Sequence, residues 1–261
     1  MKKEDIGSRN WRVPDPKCIF ILVHGLGTHS GRWEAMAGFF LKKNISSYAV
    51  DLPELNRIHS YYSEILRIRE IAAGDNPGKK IFLVGESLGG LASFLFAAEH
   101  PGLFAGLVCI SPAFASRKAL KFSDAIKMLA PVIYNPAKKV DLHFDSSMCT
   151  RDTDYRKKLD SDPREYRSVR ARLIMDILIA QARTKEAIKK MNAPVLFLVS
   201  GEDRIVDPAA SEKVFEGLSA KDKTFRIFSD MYHALSIDLG KEAVFEELFN
   251  WTEKQLQIKR P

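Results

Sequence analysis

Short apolar segments alternate with amphipathic segments of helix length along most of this chain. The apolar segments lie at residues 17–23, 46–50, 80–84, 106–110, 194–199 and 224–228. The helix-length segments lie at residues 32–43, 60–73, 87–99, 209–217 and 241–255. Continuous apolar strands are typical of a parallel sheet that helices cover on both faces. The alternation therefore predicts an α/β protein, and the 46% apolar residues of the 261-residue chain suffice for its core.

The alternation breaks between residues 113 and 190. This segment has no clear buried strand, and it contains several stretches with helical periodicity. In one of them Phe122, Ile126 and Leu129 recur at the spacing of one helix face. Insertions of this size in an α/β core usually serve as lids. We therefore expect a helical cap at 113–190, inserted into a core formed by residues 1–112 and 191–261.

The positive charge of the chain is concentrated in this insertion. The net charge is +7, and residues 117–172 contain 14 basic and 8 acidic residues. No nucleic-acid-binding motif accompanies them, so we expect no nucleic-acid partner. A basic cap suits an anionic membrane surface or an anionic substrate, and a solvated surface without a partner is the alternative. The sequence does not indicate an oligomeric state.

The lengths of the apolar runs, the sequence of residues 1–10 and the cysteine content favour a cytoplasmic protein, with peripheral membrane contact as an open possibility. No apolar run approaches the roughly 20 residues of a membrane helix. Residues 1–10 lack the apolar stretch of a secretory signal. The three cysteines Cys18, Cys109 and Cys149 are an odd number, and two lie in apolar runs. We expect buried thiols and no metal site.

The strongest chemical signal is the sequence GESLGG at residues 85–90, directly after one apolar segment and directly before a helix-length segment. A Gly-x-Ser-x-Gly pattern between a strand and a helix predicts a nucleophile elbow, in which glycines relieve crowding at a sharp turn. Ser87 would then project at the carboxyl edge of the sheet. The free N–H groups of the helix start favour developing negative charge there. The alternative is a turn in which Ser87 only caps the helix.

A serine hydroxyl needs a base to take its proton, and that base needs a carboxylate partner to orient it. Of the six histidines, only His233 combines the end of a late strand with a loop before the last helix. The carboxylate should follow the penultimate strand, in the chain order serine, acid, histidine. We favour Asp203. Glu202 has a longer side chain, and Asp207 precedes Pro208 as a helix N-cap; both stay open as alternatives.

Two backbone N–H groups are needed to hold the oxyanion of the transition state. The first would come from Leu88, directly after the proposed nucleophile. The second would come from Leu26, in the glycine-rich turn after the first apolar segment.

Four motifs together resemble the α/β hydrolases of the monoacylglycerol lipase and lysophospholipase family. They are HGLGTHSGRW at 24–33, GESLGG at 85–90, GEDR at 201–204 and the Tyr-His pair at 232–233. The resemblance implies an α/β-hydrolase fold, with a mostly parallel sheet of six to eight strands. It also implies the catalytic triad and oxyanion donors named above, and a cap whose apolar inner face holds an acyl chain.

The chain departs from the family pattern at two positions of the head-group site. In mammalian members an acidic residue usually occupies the position of Thr28, and a second histidine the position of Ser236. Arg32 remains from that polar set. The residues that we expect to contact substrate are Arg32, Phe114, Phe122, Ile126 and Leu129.

The resemblance predicts a serine carboxylic-ester hydrolase that needs no cofactor. It would act on single-chain lipid esters, either monoacylglycerols or lysophospholipids, through an acyl-enzyme. If the apolar stripe of the cap closes a pocket rather than facing lipid, a soluble carboxylesterase for short-chain or aromatic esters is the alternative. An aminopeptidase of the same fold would need an acidic anchor for the substrate amine, and the acidic residues of the cap leave that open. A binding module without chemistry is disfavoured, because every catalytic element is present in order.

Overall fold

A central sheet of seven described strands organises the computed structural model, which describes residues 8–51, 57–117, 135–142 and 145–258. Its strands are β1 (Ser8–Trp11), β2 (Ile19–Val23), β3 (Ser46–Val50), β4 (Ile81–Glu86), β5 (Gly106–Ile110), β8 (Val195–Ser200) and β9 (Lys223–Phe228). They lie in the order β1-β3-β2-β4-β5-β8-β9. β1 is antiparallel to β3, and all other neighbours are parallel. All the carboxyl ends of the parallel strands therefore lie at one edge.

Helices cover both faces of this sheet. Those of the described residues are α1 (Glu34–Lys42), α2 (His59–Asp75), α3 (Leu88–Glu99), α4 (Ser146–Cys149), α5 (Thr153–Ser161), α6 (Ala171–Lys190), α7 (Pro208–Gly217) and α8 (Lys241–Gln257). The side chains of β2 alternate between two apolar clusters. Ile19 and Ile21 pack in the cluster that includes α2 and α3, whereas Phe20 and Leu22 pack with α1 and α8. The strands β2, β4, β5 and β8 are buried at every residue and largely apolar, as the sequence indicated, whereas the edge strand β9 is partly exposed.

This architecture confirms the predicted α/β-hydrolase fold with its mostly parallel sheet. The six predicted strands lie within two residues of the observed bounds at each end. β1 was not predicted. Its sequence SRNW has no apolar run, and its observed partner is the backbone of β3 at the edge of the sheet.

A helical insertion is present between β5 and β8, where it was predicted. It also contains a short antiparallel pair that the sequence did not indicate, β6 (Lys139–Asp141) with β7 (Ser168–Arg170). Phe122, Ile126 and Leu129, the predicted apolar stripe, lie outside the described residues. No described helix combines the length and the apolar character needed to cross a membrane. Cys18, Cys109 and Cys149 are buried thiols without disulfides, as expected.

Candidate active site

Ser87 occupies a strained turn between the end of β4 and the start of α3. Its backbone has φ 56° and ψ −121°, a region that residues with a side chain rarely adopt. Glycines make the turn possible, because a Cβ at Gly85 would collide with the carbonyl of Gly89, and a Cβ at Gly89 with that of Val23. The N–H of Ser87 donates to the carbonyl of Ile110 at 2.9 Å. This geometry is that of the predicted nucleophile elbow.

His233 lies between Ser87 and Asp203 and contacts both. Its Nδ1 is 2.7 Å from Asp203 Oδ2, and its Nε2 is 2.9 Å from Ser87 Oγ. A carboxylate only accepts, so Nδ1 carries the proton and Nε2 accepts from the serine hydroxyl. Asp203 Oδ1 in turn accepts the N–H groups of Ile205 at 2.8 Å and Val206 at 2.9 Å. The four bonds fix the imidazole in the tautomer that can take a proton from Ser87.

The surroundings of His233 raise its pKa. Burial by itself lowers the pKa of His233, because a charged imidazole loses its hydration. The negative charge of Asp203 and its hydrogen bond to the ring outweigh this, so the pKa is raised above the ordinary histidine value. A base with a raised pKa holds the proton of the nucleophile more firmly.

The two alternative carboxylates lie elsewhere. Asp207 caps α7, with Oδ1 accepting the N–H of Ala209 at 3.1 Å. The backbone N–H of Glu202 donates to the carbonyl of Met231, and no bond of its side chain to His233 exists among the described residues. Asp203 is therefore the carboxylate that the fold brings to the imidazole.

The turn after β2 lies beside the nucleophile. A Cβ at Gly25 would be 3.1 Å from the Cβ of Ser87, so glycine permits this close approach. Leu26 and Leu88 both line the cavity above Ser87. Within the described part of the chain, neither of their N–H groups donates to another protein group. Leu88 is also the first residue of α3, where N–H groups have no intrahelical partner.

Ser87 and His233 open into a cavity of about 210 Å³. Its described wall is mostly apolar, with side chains that include Leu26, Ile177, Ile205 and Val206. The polar side chains of the wall, apart from Ser87 and His233 themselves, are those of Thr28, Arg32, Glu86, Ser116 and Gln181. An apolar cavity with a few polar groups is the usual form of a small-molecule site.

Arg32 reaches the cavity wall, but another residue already engages its guanidinium. Nε and Nη2 donate to the two carboxylate oxygens of Glu165, at 2.8 and 2.7 Å. The Arg32 and Glu165 side chains are 9% and 8% exposed. This buried pair links the turn after β2 to the insertion, 133 residues later in the chain.

Phe114 has a different place from the one that we expected. Its ring stacks on Phe197 at 5.7 Å between centroids, and it meets Phe94 edge-on at 5.1 Å. The neighbours Ala113 and Ala115 line the cavity, whereas Phe114 belongs to the core cluster that contains α2 and α3. The backbone at 113–115 thus forms the wall, and the aromatic side chain supports it from behind.

Comparison with known proteins identifies the family. The model of the Hydrolase_4 family, described as serine aminopeptidase, S33, matches residues 14–240. The chain belongs to this family of α/β-hydrolases. It is 29% identical over 263 residues to the monoglyceride lipase of Homo sapiens, and this alignment covers 95% of this chain and 86% of that protein. It is 23% identical to phospholipase YtpA of Bacillus subtilis, over 94% of this chain and 99% of that one.

A solved structure agrees with this assignment. The crystal structure of Paleococcus ferrophilus monoacylglycerol lipase superposes with a TM-score of 0.85 at 28% identity, covering 95% of this chain and 98% of that one. The resemblance drawn from the motifs is thereby confirmed. The chain is a serine hydrolase similar to the monoglyceride lipases.

One polar contact of the site was missed by the sequence analysis. Glu86, the residue before Ser87, accepts from the N–H of Ser236 at 3.1 Å and from its hydroxyl at 2.9 Å. The only sequence signal was the acidic residue inside the GESLGG motif, and its partner lies 150 residues later. Within the described ranges, no cluster of His, Cys, Asp and Glu side chains could hold a metal ion.

Proposed function

We propose that this chain is a serine carboxylic-ester hydrolase for single-chain lipid esters with an uncharged head group, of the monoacylglycerol class. The observation that carries the proposal is the continuous hydrogen-bonded chain from Asp203 through His233 to Ser87, which ends in a mostly apolar cavity. The names of the similar proteins, monoglyceride lipases, support the same substrate class.

In the first half of the reaction, Ser87 Oγ attacks the ester carbonyl carbon while its proton passes to His233 Nε2. The carbonyl oxygen becomes an oxyanion, and the N–H groups of Leu26 and Leu88 stabilise it. Asp203 stabilises the imidazolium that forms. The C–O bond to the alcohol then breaks, and the alcohol leaves with the proton of His233, so that the acyl group remains on Ser87.

In the second half, His233 takes a proton from water as the water oxygen attacks the acyl-enzyme. The same two N–H groups hold the second oxyanion. Collapse of this intermediate returns the proton to Ser87 Oγ and releases the fatty acid. No step requires a cofactor.

The charges of the cavity wall favour an uncharged leaving group. A phosphate head group is best held by cations that are free to donate to it, above all by arginine. Arg32 is the cation among the described residues of the wall, and Glu165 occupies two of its donors. Glu86 adds a carboxylate to the same wall. A lysophospholipid, which similarity to a phospholipase keeps as the second candidate, would meet this carboxylate, and the described residues of the wall offer no free cation to offset it.

The first test is covalent labelling with a fluorophosphonate probe, combined with hydrolysis of p-nitrophenyl acyl esters. We expect wild-type protein to be labelled, and Ser87→Ala to lose labelling and at least roughly 10³-fold in kcat/KM. Ser93→Ala is the matched control, since Ser93 is a buried serine of α3 outside the proposed mechanism. A Ser87→Ala variant that keeps wild-type turnover would refute the proposal.

The second test compares substrates of equal acyl length. We expect 1-monoacylglycerols to be hydrolysed with higher kcat/KM than lysophosphatidylglycerol, with an optimum at medium or long chains. An optimum at acetate or butyrate would instead identify a short-chain esterase. Hydrolysis of aminoacyl-naphthylamides in preference to esters would identify an aminopeptidase.

Cytoplasmic location and peripheral contact with an anionic membrane stay predictions. Cosedimentation with vesicles that contain phosphatidylglycerol, at low and high salt, tests the membrane contact. Salt-sensitive binding is expected if the basic insertion attracts such a surface.

A further inference from the structure

Glu86 connects the two halves of the proposed catalytic machinery. It is the last residue of β4 and precedes Ser87 directly, while Ser236 follows His233 by three residues. Its Oε1 accepts the N–H of Ser236 at 3.1 Å, and its Oε2 accepts the hydroxyl at 2.9 Å. Both side chains are buried, with residue exposures of 6% and 0%. The strand that carries the serine is thus bonded directly to the loop that carries the histidine.

The carboxylate of Glu86 also contributes to the electrostatics at His233. Burial raises the pKa of Glu86, and the two bonds from Ser236, the charge of His233 and the charge of Arg32 each act against this. Conversely, the negative charges of Asp203 and Glu86 both raise the pKa of His233, whereas the positive charge of Arg32 lowers it.

The other titratable groups that face Glu86 in the described part of the chain do not neutralise it. Cys149 and Tyr155, from the insertion, both have pKa values that burial raises, so they are uncharged near neutral pH. Arg32 forms its ion pair with Glu165. Among the described residues Glu86 itself forms no ion pair within 4 Å.

We propose that Glu86 is a positioning residue for the hydrolysis proposed above: it holds the His233 loop at its distance from Ser87, and its negative charge stabilises the imidazolium form of His233. The proposal rests on the proposed function, since it concerns the same proton transfer. Two separable effects follow. One belongs to the hydrogen bonds and depends on Ser236, and the other belongs to the charge and depends on the ionised carboxylate.

Glu86→Gln separates these effects. The glutamine Oε1 can still accept the N–H of Ser236, and its Nε2 can donate to the hydroxyl, so the bridge is kept while the charge is removed. Without that charge the pKa of His233 falls. We expect the acid limb of the labelling rate against pH to move to lower pH by about 0.5–1 pH unit, and the plateau rate to fall about threefold to tenfold.

Ser236→Ala provides the complementary change, because it removes the hydroxyl donor and leaves the carboxylate. We expect a lower plateau of labelling and of kcat, with an acid limb that does not move to lower pH. Glu202→Gln is the matched control, since it removes a nearby carboxylate that does not contact His233. This variant should keep both the limb and the plateau. Thermal unfolding is measured for all three variants, so that a loss of stability is separated from a change in proton transfer.

The rate of fluorophosphonate labelling is the main readout, because it requires Ser87 and His233 but no particular lipid. If wild-type protein is not labelled, the proposed function fails, and this inference fails with it. If wild-type protein is labelled and Glu86→Gln keeps the wild-type limb and plateau, the charge role is refuted and the proposed function stands. Should Glu86→Gln not fold, Ser236→Ala decides the positioning role: an unchanged plateau overturns it.

Discussion

Asp203→Asn is the sharpest test of the site, because the surroundings of Asp203 dictate how an asparagine would be oriented. Oδ1 of Asp203 accepts two backbone N–H groups, those of Ile205 at 2.8 Å and Val206 at 2.9 Å. An asparagine must keep its carbonyl oxygen there, because its amide nitrogen cannot accept. The NH₂ group would then face Nδ1 of His233, where Oδ2 now lies at 2.7 Å.

The consequence for catalysis is a reversed tautomer. An NH₂ donor beside Nδ1 favours the imidazole that carries its proton on Nε2, and such a ring cannot accept the proton of Ser87. Loss of the correct tautomer in a serine triad costs about 10⁴-fold in kcat, equivalent to about 5.5 kcal/mol of transition-state stabilisation. We expect a loss of this order. We also expect the fold to persist, because both backbone bonds are retained.

The assay is kcat/KM for a p-nitrophenyl ester, together with thermal unfolding of the same preparations. Asp207→Asn is the matched control: Asp207 caps α7, and asparagine is an equally good N-cap. This control should be within about twofold of wild type in kcat/KM, which is a difference of about 0.4 kcal/mol. A folded Asp203→Asn variant that retains activity within about tenfold of wild type would contradict the role of Asp203.

Three further predictions concern stability and pH. Gly89→Ala should lower the free energy of unfolding in urea by at least about 2 kcal/mol, because the added Cβ would collide with backbone carbonyls of β2 and of the turn after β2. A variant with wild-type stability would contradict this and show that the elbow can shift. Asp238→Ala should cost about 3 kcal/mol and lower Tm by roughly 6–12 °C, because Asp238 is fully buried and accepts bonds from Thr150, Arg151 and Tyr232. Burial alone would raise the pKa of Asp238, but the hydrogen bonds that it accepts lower the pKa overall. The stability that Asp238 contributes is therefore fully present above the ordinary carboxyl pKa and is lost as the pH falls through the lowered pKa. The difference in stability between Asp238→Ala and wild type should accordingly shrink in acid. The raised pKa of His233 predicts that the acid limb of wild-type kcat/KM lies above the ordinary histidine pKa, and a limb below that value would contradict it.

Local patterns in the sequence were sufficient to predict the fold and to name the three side chains, Ser87, Asp203 and His233, that the fold brings into hydrogen-bond contact. The strands β2, β4, β5 and β8 are buried on both faces, so each of them has an apolar run with clear ends in the sequence. The elbow requires glycine at residues 85 and 89, and the GESLGG motif contains both glycines. His233 and Asp203 follow strands whose order along the chain fixes their positions at one sheet edge. Each of these signals lies within about ten residues.

The missed features depend on contacts between distant segments. β1 and the β6–β7 pair are short strands without an apolar pattern, and tertiary context decides their pairing. The bond from Ser236 to Glu86 spans 150 residues, and the bond from Arg32 to Glu165 spans 133. In both pairs, the sequence around one residue contains no local pattern that predicts its partner. Phe114 was misplaced for a related reason: its side-chain direction depends on how residues 113–115 leave β5.

The segment at 232–238 shows how a loop can fix the side chain of the proposed base, His233, without being a helix or a strand. Carboxylates accept two of its backbone N–H groups: that of Tyr232 bonds to Asp238 at 2.7 Å, and that of Ser236 to Glu86 at 3.1 Å. The N–H of Ala234 donates to the carbonyl of Cys149 in the insertion, at 2.9 Å. Charged acceptors make stronger bonds than neutral ones, so a few carboxylates can replace the ladder of a regular element. The imidazole of the proposed base is therefore positioned from the core and the insertion together, and changes at either anchor should alter kcat more than KM.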